Sequence, residues 1–346
     1  MEIRWAYVLA VSFLLTYLLM PVAILIGNKM GALDFPEERK IHAVPTPTTG
    51  GLAIFVAYFV TLLRNLNFSM EIKGVLLGTS IIFFTGVLDD KYDIPARIKL
   101  LLQIVATIIL IVFGVKVKII PHNFPAKDFF DIIITFIGVV GITNAFNYLD
   151  GMNGEASGLA AISGLTLFAI SLSNGARHIS WLAIALVGCC LGFLPFNFAK
   201  SARIFLGDSG STTIGFLLAA IAIAGSWSAS SIPIAIVTPV LIFSIYIFDM
   251  IYTTVSRIKS GIVKNVGQWF AVTGKDHLHH RLTNLGFTQK QAVVVIWGCS
   301  MVFSFSAFVI RNSEYINAVV IVIQCLLVYF LIVVLMLVGK ERAEKS

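Results

Sequence analysis

Gly86-Val87-Leu88-Asp89-Asp90-Lys91-Tyr92-Asp93 closes a long apolar segment and sets two adjacent carboxylates where that segment meets a charged loop. Taken alone the doublet has a plain reading: aspartate is a common helix-end residue, and one of the pair would serve to cap the helix that follows Pro95. What the two carboxylates do therefore depends on the segments before and after them.

The segment before them is one of many like it. Of 346 residues 58% are hydrophobic and 12% charged, against about 25% charged in soluble domains. Runs of about 17–25 apolar residues, the length that crosses a bilayer, fall at 4–27, 50–66, 73–88, 97–115, 129–147, 156–173, 179–196, 211–226, 232–254, 291–311 and 316–338. They leave no room for a soluble domain of ordinary size. The expectation is an all-α, polytopic membrane bundle of about eleven helices forming a single domain over residues 1–346. The first run, with one early Arg4 and no small-x-small cleavage pattern after it, reads as a retained helix. Cys189, Cys190, Cys299 and Cys325 lie inside apolar runs without metal-ligand spacing and read as packing residues.

An odd number of spans sorts the loops into two sets. The set that includes the C-terminal tail holds 17 of the 25 Lys and Arg residues, which by the positive-inside bias places the C-terminus in the cytoplasm and the N-terminus outside. Thirteen of the 18 acidic residues fall on the same side, where no topogenic rule requires them. Chemistry is thus expected on the cytoplasmic face of the membrane, with the doublet.

Five loops on that side carry the chemistry-bearing residues. The first reads Arg39-Lys40-Ile41-His42, then Pro45-Thr46-Pro47-Thr48-Thr49-Gly50-Gly51: cations suited to phosphate, or flanking residues that snorkel, followed by a glycine pair that lets a helix start close to something. The doublet loop adds Arg97 and Lys99, the mixture of carboxylates and cations that a magnesium-diphosphate site needs. In Asn144-Ala145-Phe146-Asn147-Tyr148-Leu149-Asp150-Gly151, Asn147 and Asp150 are spaced to share a helical face, although Asn, Asp and Gly also build plain turns. Next come Asn197, Phe205 and the turn Gly207-Asp208-Ser209-Gly210-Ser211, where Asp208 or Ser209 would cap the following helix or the turn would hold a metal and an anion. The last, Asp276-His277-Leu278-His279-His280-Arg281, has no cysteine near it and no His-x-x-x-His spacing, so imidazoles beside pyrophosphate fit better than zinc. Asp249, inside an apolar run, is a functional candidate whose simpler reading is pairing with a nearby Arg or Lys such as Arg257.

The order R-K-x-H, P-T-P-x-x-G-G, G-V-L-D-D, I-T-N-A-x-N-x-x-D-G, I-F-L-G-D-S-G-S and H-L-H-H-R-L resembles the polyprenyl-phosphate N-acetylhexosamine-1-phosphate transferases over nearly the whole chain. The last motif with Asp249 is similar to the branch that transfers N-acetylglucosamine-1-phosphate from UDP-N-acetylglucosamine to undecaprenyl phosphate, releasing UMP. The alternative branch, phospho-N-acetylmuramoyl-pentapeptide transferase, typically has three consecutive histidines where this chain has His277-Leu278-His279-His280. The resemblance implies Asp89, Asp90 and Asp208 as catalytic residues and Asp208 with Asp90 as ligands of Mg2+, or of Mn2+ in its place. It implies Lys40, His42, Lys99, Asn147, Asp150, Asn197, Phe205, His277, His279, His280 and Arg281 as substrate-binding residues, and a homodimer. Two other classes compete: an intramembrane prenyltransferase, which wants a second aspartate-rich motif, and a cation-coupled transporter, which wants paired acids at mid-membrane.

Overall fold

The computed structural model describes residues 3–36, 44–65, 69–121, 123–199, 201–225, 227, 232–263, 274, 276–311 and 313–345. It divides into two compact units, Met1–Ser226 and Trp227–Ser346.

The first unit holds helices α1 (Ile3–Met30), α2 (Gly50–Asn65), α3 (Met70–Tyr92), α4 (Ala96–Val112), α5 (Lys127–Tyr148), α6 (Glu155–Ser173), α7 (Arg177–Asn197) and α8 (Gly207–Ala224). Two short strands, β1 (Leu33–Asp34) and β2 (Thr46–Pro47), pair antiparallel with Leu33 opposite Pro47. Helix α8 is the interior element: every residue from Ser209 to Ala222 is buried, and α3, α5 and α2 pack around it. A helix without a polar face belongs inside a bundle, and its run of Gly, Ser, Thr and Ala side chains lets neighbouring backbones come close. Helix α7 lies between α1 and α6.

The second unit holds α9 (Ile232–Ile242), α10 (Ser244–Lys259), α11 (Leu278–Asn284), α12 (Gln289–Ile310) and α13 (Tyr315–Lys345). Helix α12 starts from a capping box between Thr288 and Gln291 and packs on α9, and α11 packs on α13 and α12.

Among the described residues eight helices are long and apolar enough to cross a membrane, and α9 with α10 makes a ninth if the bent pair is one span. Helices α2 and α4 are shorter, at 16 and 17 residues. Each expected apolar stretch thus has a helix or a bent pair beneath it. Three local expectations change. Stretch 232–254 is not straight: α9 and α10 meet at 76°, with the break at Phe243. Helix α8 begins at Gly207 and not near 211. Helix α3 runs through the doublet to Tyr92, so Asp89 and Asp90 are helical and not in a loop.

Candidate active site

The last turn of α3 gives its two carboxylates different work. The helix stops at Asp93, in the left-handed region at φ 51°, whose N–H returns to the Asp89 carbonyl. Adjacent helical side chains point about 100° apart. Asp89 turns toward α4: its Oδ2 takes Lys99 Nζ at 2.5 Å and its Oδ1 accepts the Ile94 N–H at 2.7 Å, with only 3% of the side chain exposed. Asp90 turns toward α8, where Oδ1 accepts the Asp208 N–H at 2.7 Å and Oδ2 the Ser209 N–H at 3.1 Å.

The capping reading of the doublet was therefore right in kind, but the helix capped by Asp90 lies more than a hundred residues on. Helix α8 has no side-chain cap of its own, so the local expectation for Asp208 or Ser209 does not hold. Asp90 satisfies two of its unpaired donors and places a negative charge at the positive end of the helix dipole.

Such an approach needs backbones in contact. Gly207 sits at φ +71°, and a Cβ there would lie 2.0 Å from the Thr48 carbonyl oxygen and 2.8 Å from Asp90 Oδ2. A Cβ at Gly86, one turn before Asp90, would lie 2.4 Å from Ser209 Cα, and one at Gly51 would lie 2.3 Å from the Gly210 nitrogen. The segment before α8 is held in the same way: Phe205 N–H donates to Pro47 O at 2.7 Å, while Gly50 and Gly51 donate to Phe205 O and Leu206 O at 3.0 and 2.9 Å. The Gly-Gly, Gly-Val-Leu-Asp-Asp and Gly-Asp-Ser-Gly motifs thus meet as three backbones, as the glycine pair of the first loop led one to expect.

Asp208 is what this packing presents. Its Oδ2 accepts from Lys99 Nζ at 3.2 Å and its Oδ1 from Asn147 Nδ2 at 3.0 Å, yet 36% of the side chain stays exposed. Asn147 also donates to Ser211 Oγ at 2.7 Å. Lys99 therefore bridges two carboxylates from two helices, and a reciprocal amide pair between Gln103 and Asn144 ties its helix to α5.

Three more of the expected residues are described in this unit. Asn197 is buried, accepting the Gly154 N–H at 2.5 Å and donating to Ile204 O at 3.0 Å, which makes it a clamp between two turns. Asp150 is half-buried in the turn after α5, its N–H on Asn147 O at 3.2 Å; since the helix ends at Tyr148, the two do not share a helical face. Phe205 is half-buried. Lys40 and His42 lie outside the described residues.

The second unit carries a cluster of another kind. Asp249 on α10 pairs not with Arg257 but with His277, Oδ2 to Nδ1 at 2.6 Å, and its Oδ1 accepts the Leu278 N–H at 2.7 Å. Arg257 instead forks onto Asp276, Nε to Oδ2 at 2.7 Å and Nη2 to Oδ1 at 2.6 Å, with Nη2 also 3.3 Å from His277 Nε2. Burial pushes the Asp276 carboxyl up, but the Arg257 hydrogen bonds and charge outweigh it and hold it below the usual carboxylate range. The rings of His277 and His279 stack, and His280 tilts against His279.

A family model for glycosyl transferase family 4 matches residues 72–226. The chain is 32% identical over 316 residues to a probable undecaprenyl-phosphate N-acetylglucosaminyl 1-phosphate transferase of Bacillus subtilis, covering 90% of this chain and 86% of that one. The chain belongs to glycosyl transferase family 4. Within it, the chain is also similar to a decaprenyl-phosphate N-acetylglucosaminephosphotransferase of Mycobacterium tuberculosis, at 32% identity over 85% of this chain and 79% of the relative. It is 26% identical to the undecaprenyl-phosphate alpha-N-acetylglucosaminyl 1-phosphate transferase of Escherichia coli K12, over 92% and 87%. These are the polyprenyl-phosphate N-acetylhexosamine-1-phosphate transferases to which the motif order pointed.

For this family the magnesium expectation can be set against the donor set. Among the described residues no three His, Cys, Asp or Glu side chains converge into a metal cage. Magnesium is ordinarily held by one or two carboxylates plus waters and substrate phosphates, and the partly open Asp208 carboxylate, sharing Lys99 with Asp89, fits that manner of binding. Asp90 has both oxygens on α8 main-chain donors. Sequence reading missed Gly207 as the turn that aims Asp208, and Asp276 as the partner of Arg257. A glycine directly before the aspartate, and an acid directly before the histidine run, were the available signals.

Proposed function

We propose that this chain transfers N-acetylglucosamine-1-phosphate from UDP-N-acetylglucosamine to undecaprenyl phosphate, giving undecaprenyl-pyrophosphoryl-N-acetylglucosamine and UMP, the first membrane step of a cell-envelope polysaccharide. A lipid phosphate oxygen attacks the sugar-linked phosphorus; the new P–O–P bond forms as the bond to UMP breaks. The observation that carries the reading is Lys99 set between Asp89 and the partly open carboxylate of Asp208, in a chain whose relatives are named for this transfer.

The reaction brings a phosphate dianion to a diphosphate, so charge neutralisation is its main demand. Magnesium, when bound, supplies part of it; Asp208 would hold the ion, with Asn147 fixing the orientation of that carboxylate and Asp90 fixing the backbone that carries it. Lys99 supplies fixed positive charge. Asp150, His279, His280 and Arg281 are assigned to the donor. A phosphate monoester has a second pKa of about 6, so the nucleophile is already mostly dianionic near neutral pH. Asp89, occupied by Lys99 and the Ile94 N–H, therefore orients and does not need to remove a proton.

In the membrane we place the chain as one multi-pass transferase domain of eleven spans, N-terminus outside, with its site on the cytoplasmic side. The test is purified protein with magnesium, undecaprenyl phosphate and radiolabelled UDP-N-acetylglucosamine, scored for UMP and labelled lipid. Label in lipid from this donor and none from UDP-N-acetylmuramoyl-pentapeptide is expected; the reverse would assign the peptidoglycan branch, and no label from either would remove the function.

A further inference from the structure

Asp249 and Arg257 are buried ionic residues on α10 that the reaction above does not use. Both end on the same short segment. Arg257 forks onto Asp276 and reaches His277, and Asp249 takes the His277 ring and the Leu278 main-chain N–H. Three consecutive residues are thus fixed from two points about two helical turns apart.

Resting on the transferase reading for the identity of the ligand, we infer that Asp249, Arg257 and Asp276 are positioning residues that hold His277 as a structural imidazole, leaving Arg281 to meet the donor's phosphates. The donor inventory decides it. A guanidinium has five N–H donors and no acceptor, so His277 Nε2, 3.3 Å from Arg257 Nη2, accepts, and the ring hydrogen sits on Nδ1, which donates to Asp249 at 2.6 Å. A ring held so has no N–H left to offer a phosphate oxygen.

What His277 fixes is the start of α11. Its carbonyl accepts the Arg281 N–H at 3.1 Å, so its position passes to Arg281 through one helical hydrogen bond. Arg281 is 9% exposed, and its Nε, wholly buried, finds no partner among the described residues. A buried charged donor left unmet is costly, and an oxyanion is the complement that a guanidinium selects. The motif His277-Leu278-His279-His280-Arg281 therefore divides into a holder at its first residue and a presenter at its last.

Two measurements on the full chain test this. The first needs no substrate: nitrogen-15 histidine spectra of the purified protein, with His277 assigned by its loss in His277→Asn, should show the neutral ring with hydrogen on Nδ1, and Asp249→Asn should shift that tautomer. A doubly protonated ring, hydrogen on Nε2, or no change in Asp249→Asn would overturn the inference. The second is kinetic. His277→Ala should raise the KM for UDP-N-acetylglucosamine by about tenfold or more, with a smaller change in kcat. His277→Asn, whose amide nitrogen stands where Nδ1 stood and still donates to Asp249, should recover most of that loss. Equal losses in the two variants would mean that the ring itself meets substrate and would overturn the proposal. Arg281→Ala should raise the same KM at least as far, and an unaltered KM would overturn the presenter's role. Were wild type inactive on this donor, the transferase reading would fall while the spectra still decided the state of His277.

Discussion

The two polar clusters are held by different bonds. At the start of α8 the anchors are main chain: Asp90 on two amide hydrogens, Asp89 on a third, and glycine backbones touching at Gly51, Gly86 and Gly207. At the start of α11 they are mainly side chain on side chain, Asp249 with His277 and Arg257 with Asp276. A site fixed through backbone tolerates no added atom, because nothing in it can rotate away. A site fixed through side chains should respond in steps and be rescued by replacements that keep the hydrogen bond.

The largest effect expected from that difference is at Gly207. An alanine there must adopt a positive φ and place a methyl against the Thr48 carbonyl; the φ alone costs about 1–3 kcal/mol. Gly207→Ala should lose about 100-fold or more in transfer rate and lower the thermal midpoint, whereas a change of under threefold would show that the backbones can part. Asp90→Asn comes next. It keeps an acceptor for one α8 amide hydrogen but removes charge-assisted bonding worth about 1.5–3 kcal/mol, so both the midpoint and the rate should fall, by about 10–100-fold in rate. A variant with normal stability and no activity would instead make Asp90 a direct participant.

The side-chain-held cluster should show a smaller, titratable effect. Asp276 has its folded-state pKa lowered, after burial is offset by Arg257. Its contribution to stability is therefore complete above the unfolded value near 3.9 and is lost as pH falls through the lower folded value. Thermal unfolding followed below about pH 4 should show an acid loss that Asp276→Asn lacks; an identical acid limb in both would contradict the pairing. The smallest expected effect is the absence of one. Transfer rate should be flat from about pH 7 to 8.5, because the lipid phosphate is already dianionic. A steep rise there that disappears in Asp89→Asn would make Asp89 a base.

The bundle was legible because apolar length is a local signal, and each long run became a helix or, at 232–254, a bent pair. The end of α3 was not: charged residues after an apolar run look like a loop, yet main-chain bonding carries the helix through Asp89 and Asp90 to Tyr92. Nor was the 76° break between α9 and α10, which falls inside an unbroken apolar run. The partners of Asp90 and Asp249 were beyond sequence reading for a different reason. They are 118 and 28 residues away, and no spacing rule reaches them.

The most direct test of the central claim, that Asp208 at the start of α8 serves phosphoryl transfer, compares wild type with Asp208→Asn for UMP release and labelled lipid from radiolabelled UDP-N-acetylglucosamine. Wild type should form the two products one for one, in a magnesium-dependent reaction. The variant, folded to the same thermal midpoint, should be slower by about 10²–10³-fold. Transfer by the variant at the wild-type rate would contradict the account.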